Sequence, residues 1–224
     1  MGEYFDWVNV DKKEYISPND FDYGNKFHET MHRDSVPLLA LHTLLDQRWA
    51  GDHILFLGDE CHVPADTHNH VYKLLMQHHK KYAAGGSTWD GLFDTYRNVS
   101  GLFKEAENEV RPEIGYYLEN LKNHKKNGYN EYGIDIHDPY KGLFWMTGHR
   151  RKYVLNHTRK TGYSLEETKI LYLDHTECDF ADPLPILLGF GRTCNPGPWI
   201  GDSIGVCEKL PEGYTLLKEI YLDW

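Results

Sequence analysis

Apolar and polar residues alternate at the start of the chain. Tyr4-Phe5-Asp6-Trp7-Val8-Asn9-Val10 reads as a strand, Asp11-Lys12-Lys13 as a polar turn, and Glu14-Tyr15-Ile16-Ser17 as a returning strand. The Leu-rich piece 36–46 has helical spacing and starts beside Ser35 and Pro37, which suit a helix N-terminus. A Trp-x-Gly-Asp turn at 49–52 then feeds a continuous apolar strand, His53-Ile54-Leu55-Phe56-Leu57. Val71, Leu74, Leu75 and His78 fall at helical spacing; a second short helix is expected around Leu92, Phe93 and Tyr96, after the Gly85-Gly86 break. A third helix is expected over 102–126, interrupted at Pro112, with a loop over 123–142 rich in Asn, Gly and Tyr. Later, Tyr153–Asn156 and Thr161–Leu165 predict another hairpin. Segment 183–191 contains Pro185 and two glycines, too many breakers for a full helix. Ser203–Lys209, Lys169–His175 and Thr215–Trp224 read as strands. The expected class is α+β, with strand-rich ends around a helical middle insert at about 71–127, within one domain over 1–224.

The two ends resemble each other. Asn9, Lys12 and Lys13 match Asn156, Arg159 and Lys160, and Tyr15 matches Tyr163 after one insertion. Val36-Pro37-Leu38-Leu39 matches Leu184-Pro185-Ile186-Leu187, and Trp49-Ala50-Gly51-Asp52 matches Trp199-Ile200-Gly201-Asp202. Three motifs in one order at a nearly constant offset point to a duplication, with copies at 1–60 and 150–224. In each turn Gly permits a tight bend and Asp is expected to accept backbone N–H bonds. Trp49 and Trp199, beside those turns, are expected to lie in the core.

The N-terminal pattern M-G-x-Y-F-x-x-V-N-x-D-K-K-E-Y-x-x-P-x-D, with Arg48-Trp49-Ala50-Gly51-Asp52-His53-Ile54 and Asn156-His157-Thr158-Arg159-Lys160, resembles a family of small uncharacterised bacterial and phage-encoded proteins. The resemblance covers the two ends of the chain. It implies a viral or defence association and carries over no catalytic residue.

Three segments hold candidate chemistry. The densest is 58–70, in which Asp59, His62, His68 and His70 are the candidate ligands of a zinc or manganese ion and Glu60 the candidate general base of a metal-dependent hydrolase. Its spacing matches no established metal motif, and a loop of solvated histidines is the plainer reading. Asp135, His137 and Asp138 could tune a base, or could simply form an Asp-Pro turn. In the third segment, Arg150, Arg151, Arg159 and Lys160 belong to five Lys/Arg with no acid between His149 and Lys160. That run could hold a phosphorylated ligand, or could be the charged edge of a hairpin. Acids flanking Cys178 disfavour a cysteine nucleophile.

Composition narrows these readings. The formal charge of −10 opposes extended contact with nucleic acid, although one small phosphorylated ligand remains compatible with it. The four cysteines show no CxxC spacing and read as reduced thiols of a cytoplasmic protein. No run of about 18 apolar residues predicts a membrane span, and the early charges of the N-terminus predict no secretory signal. With no chemical motif surviving, and with duplication and abundant aromatics present, the expected function is a non-enzymatic binding or interaction protein with a protein partner. The metal-dependent hydrolase and the nucleotide binder stand as alternatives.

Overall fold

A computed structural model describes residues 2–62, 64–66, 68–78, 96–103 and 151–223. The expected hairpin forms as β1 (Phe5–Asn9) and β2 (Glu14–Ile16). Then follow α1 (Val36–Asp46), β3 (Asp52–Gly58), α2 (His70–His78) and β4 (Arg97–Asn98). After residue 150 come β5 (Tyr153–Asn156), β6 (Thr161–Tyr163), β7 (Lys169–Tyr172) and α3 (Leu184–Leu188). The chain continues through β8 (Gly189–Phe190), β9 (Ser203–Cys207), β10 (Thr215–Leu216) and β11 (Glu219–Leu222). The class is α+β. Helix α3 lasts five residues and passes at Gly189 straight into β8, as its breakers require. The expected helices at 92–96 and 102–126 and the loop at 123–142 lie wholly or mostly outside the described residues.

Nine strands share one sheet in the order β10-β6-β5-β9-β3-β1-β2-β4, with β8 alongside the end of β3. The two ends of the chain meet where β3 and β9 run antiparallel, Asp52 opposite Ile204. There the Gly51 N–H donates to the Ile204 carbonyl at 2.8 Å, and the Gly201 N–H donates to the Ile54 carbonyl at 3.2 Å. Outward from that pair the order of partners is the same on both sides. Each of β3 and β9 meets the first strand of a hairpin, and a short parallel strand closes the outer edge at β4 and at β10. The register departs from the sequence match at one point. Gly162 stands opposite Leu155 as Tyr15 stands opposite Val8, so Tyr163 takes the place of Ile16 rather than that of Tyr15. A one-residue shift turns a side chain to the other face, and Tyr15 and Tyr163 do lie in different core clusters.

Alternation divides the apolar residues between two faces. Phe5, Trp7, Ile54 and Phe56 pack on one side with Leu38, Leu41, Leu44 and Leu45 of α1. Val8, Val10, Leu55 and Leu57 pack on the other with Val71, Leu74 and Leu75 of α2. Covering on both faces explains why β3 reads as an unbroken apolar run. Strands β7 and β11 pair parallel as a separate two-stranded sheet.

The turns at the junction need glycine for different reasons. Both Gly51 and Gly201 have left-handed φ, +79° and +67°. A Cβ at Gly51 would meet nothing nearer than Ser203 Oγ at 4.0 Å, whereas one at Gly201 would run into Leu74 Cδ1 of α2. Gly51→Ala is therefore expected to cost about 1–2 kcal/mol, the conformational penalty alone. Gly201→Ala is expected to cost a further ~1–3 kcal/mol for the collision, measured by chemical denaturation of the two variants.

Candidate functional site

The segments expected to bind a metal or a phosphate are tied into the fold. Asp59 Oδ1 accepts the Tyr4 N–H at 2.9 Å, and Glu60 pairs with Arg192. His62 and His68 are exposed; the His68 ring lies 3.4 Å from Asp66 Oδ1. His70, the first residue of α2, places Nε2 3.1 Å from the Gly201 carbonyl. Among the described residues, no group of three or more His, Cys, Asp or Glu side chains could hold a metal ion. Asp59, His62, His68 and His70 are thus not brought together, and Glu60 stands beside a guanidinium rather than beside a set of metal ligands.

The basic run is paired in the same way. Arg151 binds Asp46 at 2.9 Å and Glu208 at 2.8 Å, and Lys152 binds Glu167 at 2.6 Å. Arg159 binds Asp202 at 2.6 Å, and Lys160 lies 3.4 Å from the Tyr214 hydroxyl. Arg150, Asp135, His137 and Asp138 lie outside the described residues. Burial, with help from Glu3, pushes the Cys61 and Cys194 thiols up to about 12, which leaves them protonated and poorly nucleophilic at neutral pH.

The aspartates of the two turns do something other than the expected backbone capping. Asp52 Oδ2 accepts Asn9 Nδ2 at 2.8 Å and also the Lys12 ammonium. Asp202 Oδ2 accepts Asn156 Nδ2 at 2.8 Å and Arg159 Nε at 2.6 Å. In each case the Asn oxygen accepts the backbone N–H three residues on, at 2.9 Å, and so closes the hairpin turn. Asn supplies a donor and an acceptor at once, which lets one side chain hold its own turn and the facing one.

Two indoles follow these turns into different surroundings. Trp49 is fully buried and donates Nε1–H to Glu14 Oε2 at 3.0 Å. Trp199 is equally enclosed at 3% exposure, yet its Nε1–H has no acceptor among the described residues. It lines an open cleft of about 380 Å³. Ile186, Leu187 and Ile220 give the cleft an apolar lining, and Pro196 and Pro198 contribute to it from the segment before Trp199. Asn195, Glu219, Tyr221 and Asp223 bring its polar groups, and among the described residues neither Lys nor Arg lines it. The volume falls in the range of small-ligand and side-chain pockets. Trp199 is thus both a core residue and a cleft residue. A smaller hollow of about 270 Å³ includes His42 and Tyr163. His42 is buried, with Nε2 2.9 Å from Asp182 Oδ2; the Tyr163 hydroxyl donates to Asp182 Oδ1 at 2.5 Å. The sequence carried little signal for either feature, since Asp182 and Glu219 sit in no motif.

No family model, curated protein or solved structure matches the chain.

Two buried carboxylates shift in opposite directions. Burial alone would raise Glu14, but hydrogen bonds from Arg48, Trp49 and Arg97 more than reverse it and hold it near about 2. Asp6 is 1% exposed, and its oxygens have no well-formed hydrogen bond. Burial raises it to about 7; the Ser17 hydroxyl offsets part of the rise, while Asp20 and Asp59 add to it. The folded state therefore binds this proton more tightly than the unfolded state does. The resulting stability is complete below about pH 4 and is lost as pH rises through about 7. Asp6→Asn is expected to be the more stable protein above pH 7, by a few kcal/mol at most, with the gap closing toward pH 4. Urea unfolding across that range measures it.

Proposed function

We propose that the chain is a non-enzymatic binding protein built from two copies of one unit, 1–60 and 150–224, and that it binds a protein partner in the cleft beside Trp199. The cleft carries the reading: an apolar pocket edged by polar groups, next to an indole N–H for which no acceptor is found among the described residues. Such surfaces suit recognition, because an aromatic residue at the edge of the core offers apolar area and a polar handle together.

Three features support the duplication. The Asn–Asp–cation clusters coincide in donors and acceptors. Lys13 and Lys160 share left-handed φ values of 54° and 55° at the same point of their hairpins. The strand order runs alike outward from β3 and β9. The copies then differ where function would act. Position 14 holds Glu, which closes over Trp49, whereas the corresponding strand position 161 holds Thr. Kinship with the bacterial and phage-encoded proteins, and the viral or defence association it implies, belong to the same proposal. Among the described residues no group of three or more His, Cys, Asp or Glu supports the hydrolase alternative. Arg151, Lys152 and Arg159 of the basic run are already ion-paired, which leaves Lys160 beside the Tyr214 hydroxyl as weak support for the phosphate alternative.

A random peptide library displayed on phage tests the reading. Clones enriched on the wild-type protein are expected to lose binding to Pro198→Arg, which fills the cleft from an exposed position; the melting temperature of that variant checks its fold. No enrichment, or clones that bind both proteins equally, overturns the reading.

A further inference from the structure

Strand β11 has an edge to spare. Among the described residues it pairs only with β7, through Glu219 to Leu222. No β7 residue lines the cleft, whereas Glu219, Ile220 and Tyr221 all do. The cleft therefore runs along the edge of β11 away from β7. A parallel strand directs only part of its N–H and C=O groups to one neighbour, and the rest point to the other edge. Unpaired edges are usually guarded by Lys, Pro or a bulge, and β11 contains neither Lys nor Pro. Its burial alternates, with Ile220 and Leu222 inward and Glu219 and Tyr221 outward.

Charge selects the occupant. The carboxylate of Glu219 is held by the Tyr221 hydroxyl at 3.0 Å, and that of Asp223 by the Asn195 amide at 3.2 Å. Neither forms an ion pair with a described residue, whereas Asp46, Glu208, Glu167 and Asp202 are each matched to a cation of the 151–160 run. Residues 219, 221 and 223 fall on one side of an extended chain and span roughly 13 Å, the length of four strand residues. A cation beside this row would meet a carboxylate at each end and an aromatic ring between them.

We propose that the cleft takes an extended basic segment of a partner protein, which adds to β11 as a third strand and sets Lys or Arg side chains at alternate positions against Glu219 and Asp223. Strand addition supplies main-chain hydrogen bonds, and alternate side chains supply the selectivity. This inference rests on the binding reading above and adds the chemistry of the partner.

Fluorescence anisotropy with three labelled hexapeptides tests it: an alternating Lys-Val peptide, its Glu-Val counterpart, and a Lys-Pro peptide of equal charge that cannot complete a strand ladder. The Lys-Val peptide is expected to bind the full chain, with the other two at least about tenfold weaker. Glu219→Gln combined with Asp223→Asn, both at exposed positions, is expected to weaken Lys-Val binding about tenfold and to flatten its salt dependence. Equal binding of Glu-Val removes the charge recognition. Equal binding of Lys-Pro removes the strand addition. Binding untouched by the double substitution places the peptide elsewhere. Any of these results overturns the inference, as does a failure of Lys-Val to bind at all. If phage clones nevertheless bind at the cleft, the binding reading survives; if no displayed peptide binds there, both fail together.

Discussion

The antiparallel meeting of β3 and β9 is the interaction on which the other features depend. Two glycine N–H groups reach across it to the carbonyls of Ile204 and Ile54, and each glycine is the bend of a Trp-x-Gly-Asp turn. That bend needs left-handed backbone, which glycine adopts without penalty. Once the two strands pair there, each hairpin has a place beside its own strand, and one sheet carries both ends of the chain. The same bends set Asp52 against Asn9 and Asp202 against Asn156, so the turns and the hairpins hold each other.

Charge is used inside the structure rather than displayed. Glu14 binds two guanidiniums and an indole, Asp182 binds His42 and Tyr163, and the cations of the 151–160 run face carboxylates or a tyrosine. For the buried members, Glu14 and Asp182, breaking the set would leave a charge without a partner; the pairs of the 151–160 run are exposed and contribute little to stability. The carboxylates of Glu219 and Asp223, held only by neutral donors beside an apolar cleft, stand out against that background.

Local elements were legible along the chain. Alternation gave β1 and β2, helical spacing gave α1 and the start of α2, and Pro185 with Gly189 shortened α3 as its breakers required. The candidate site was much less legible. The histidines of 62–70 drew attention by density alone, and density does not say which way a side chain points; among the described residues they take part in no group of three or more His, Cys, Asp or Glu able to hold a metal. The buried contact of His42 with Asp182 left no local signal, because the two lie far apart in sequence. Tyr163 was matched to Tyr15 by residue type, whereas the pairing register matches it to Ile16.

By itself, the sequence determined the period of each segment, the turns that glycine, proline and asparagine allow, and the likeness between the two ends, all of them properties of neighbouring residues. Tertiary structure alone decided that β3 meets β9, that Arg151, Lys152 and Arg159 are ion-paired, that Trp49 is closed by Glu14 while Trp199 borders a cleft, and that β11 keeps a free edge among the described residues. Those outcomes turn on which surfaces, distant in the chain, come to lie within hydrogen-bonding and packing distance, and no local pattern encodes that.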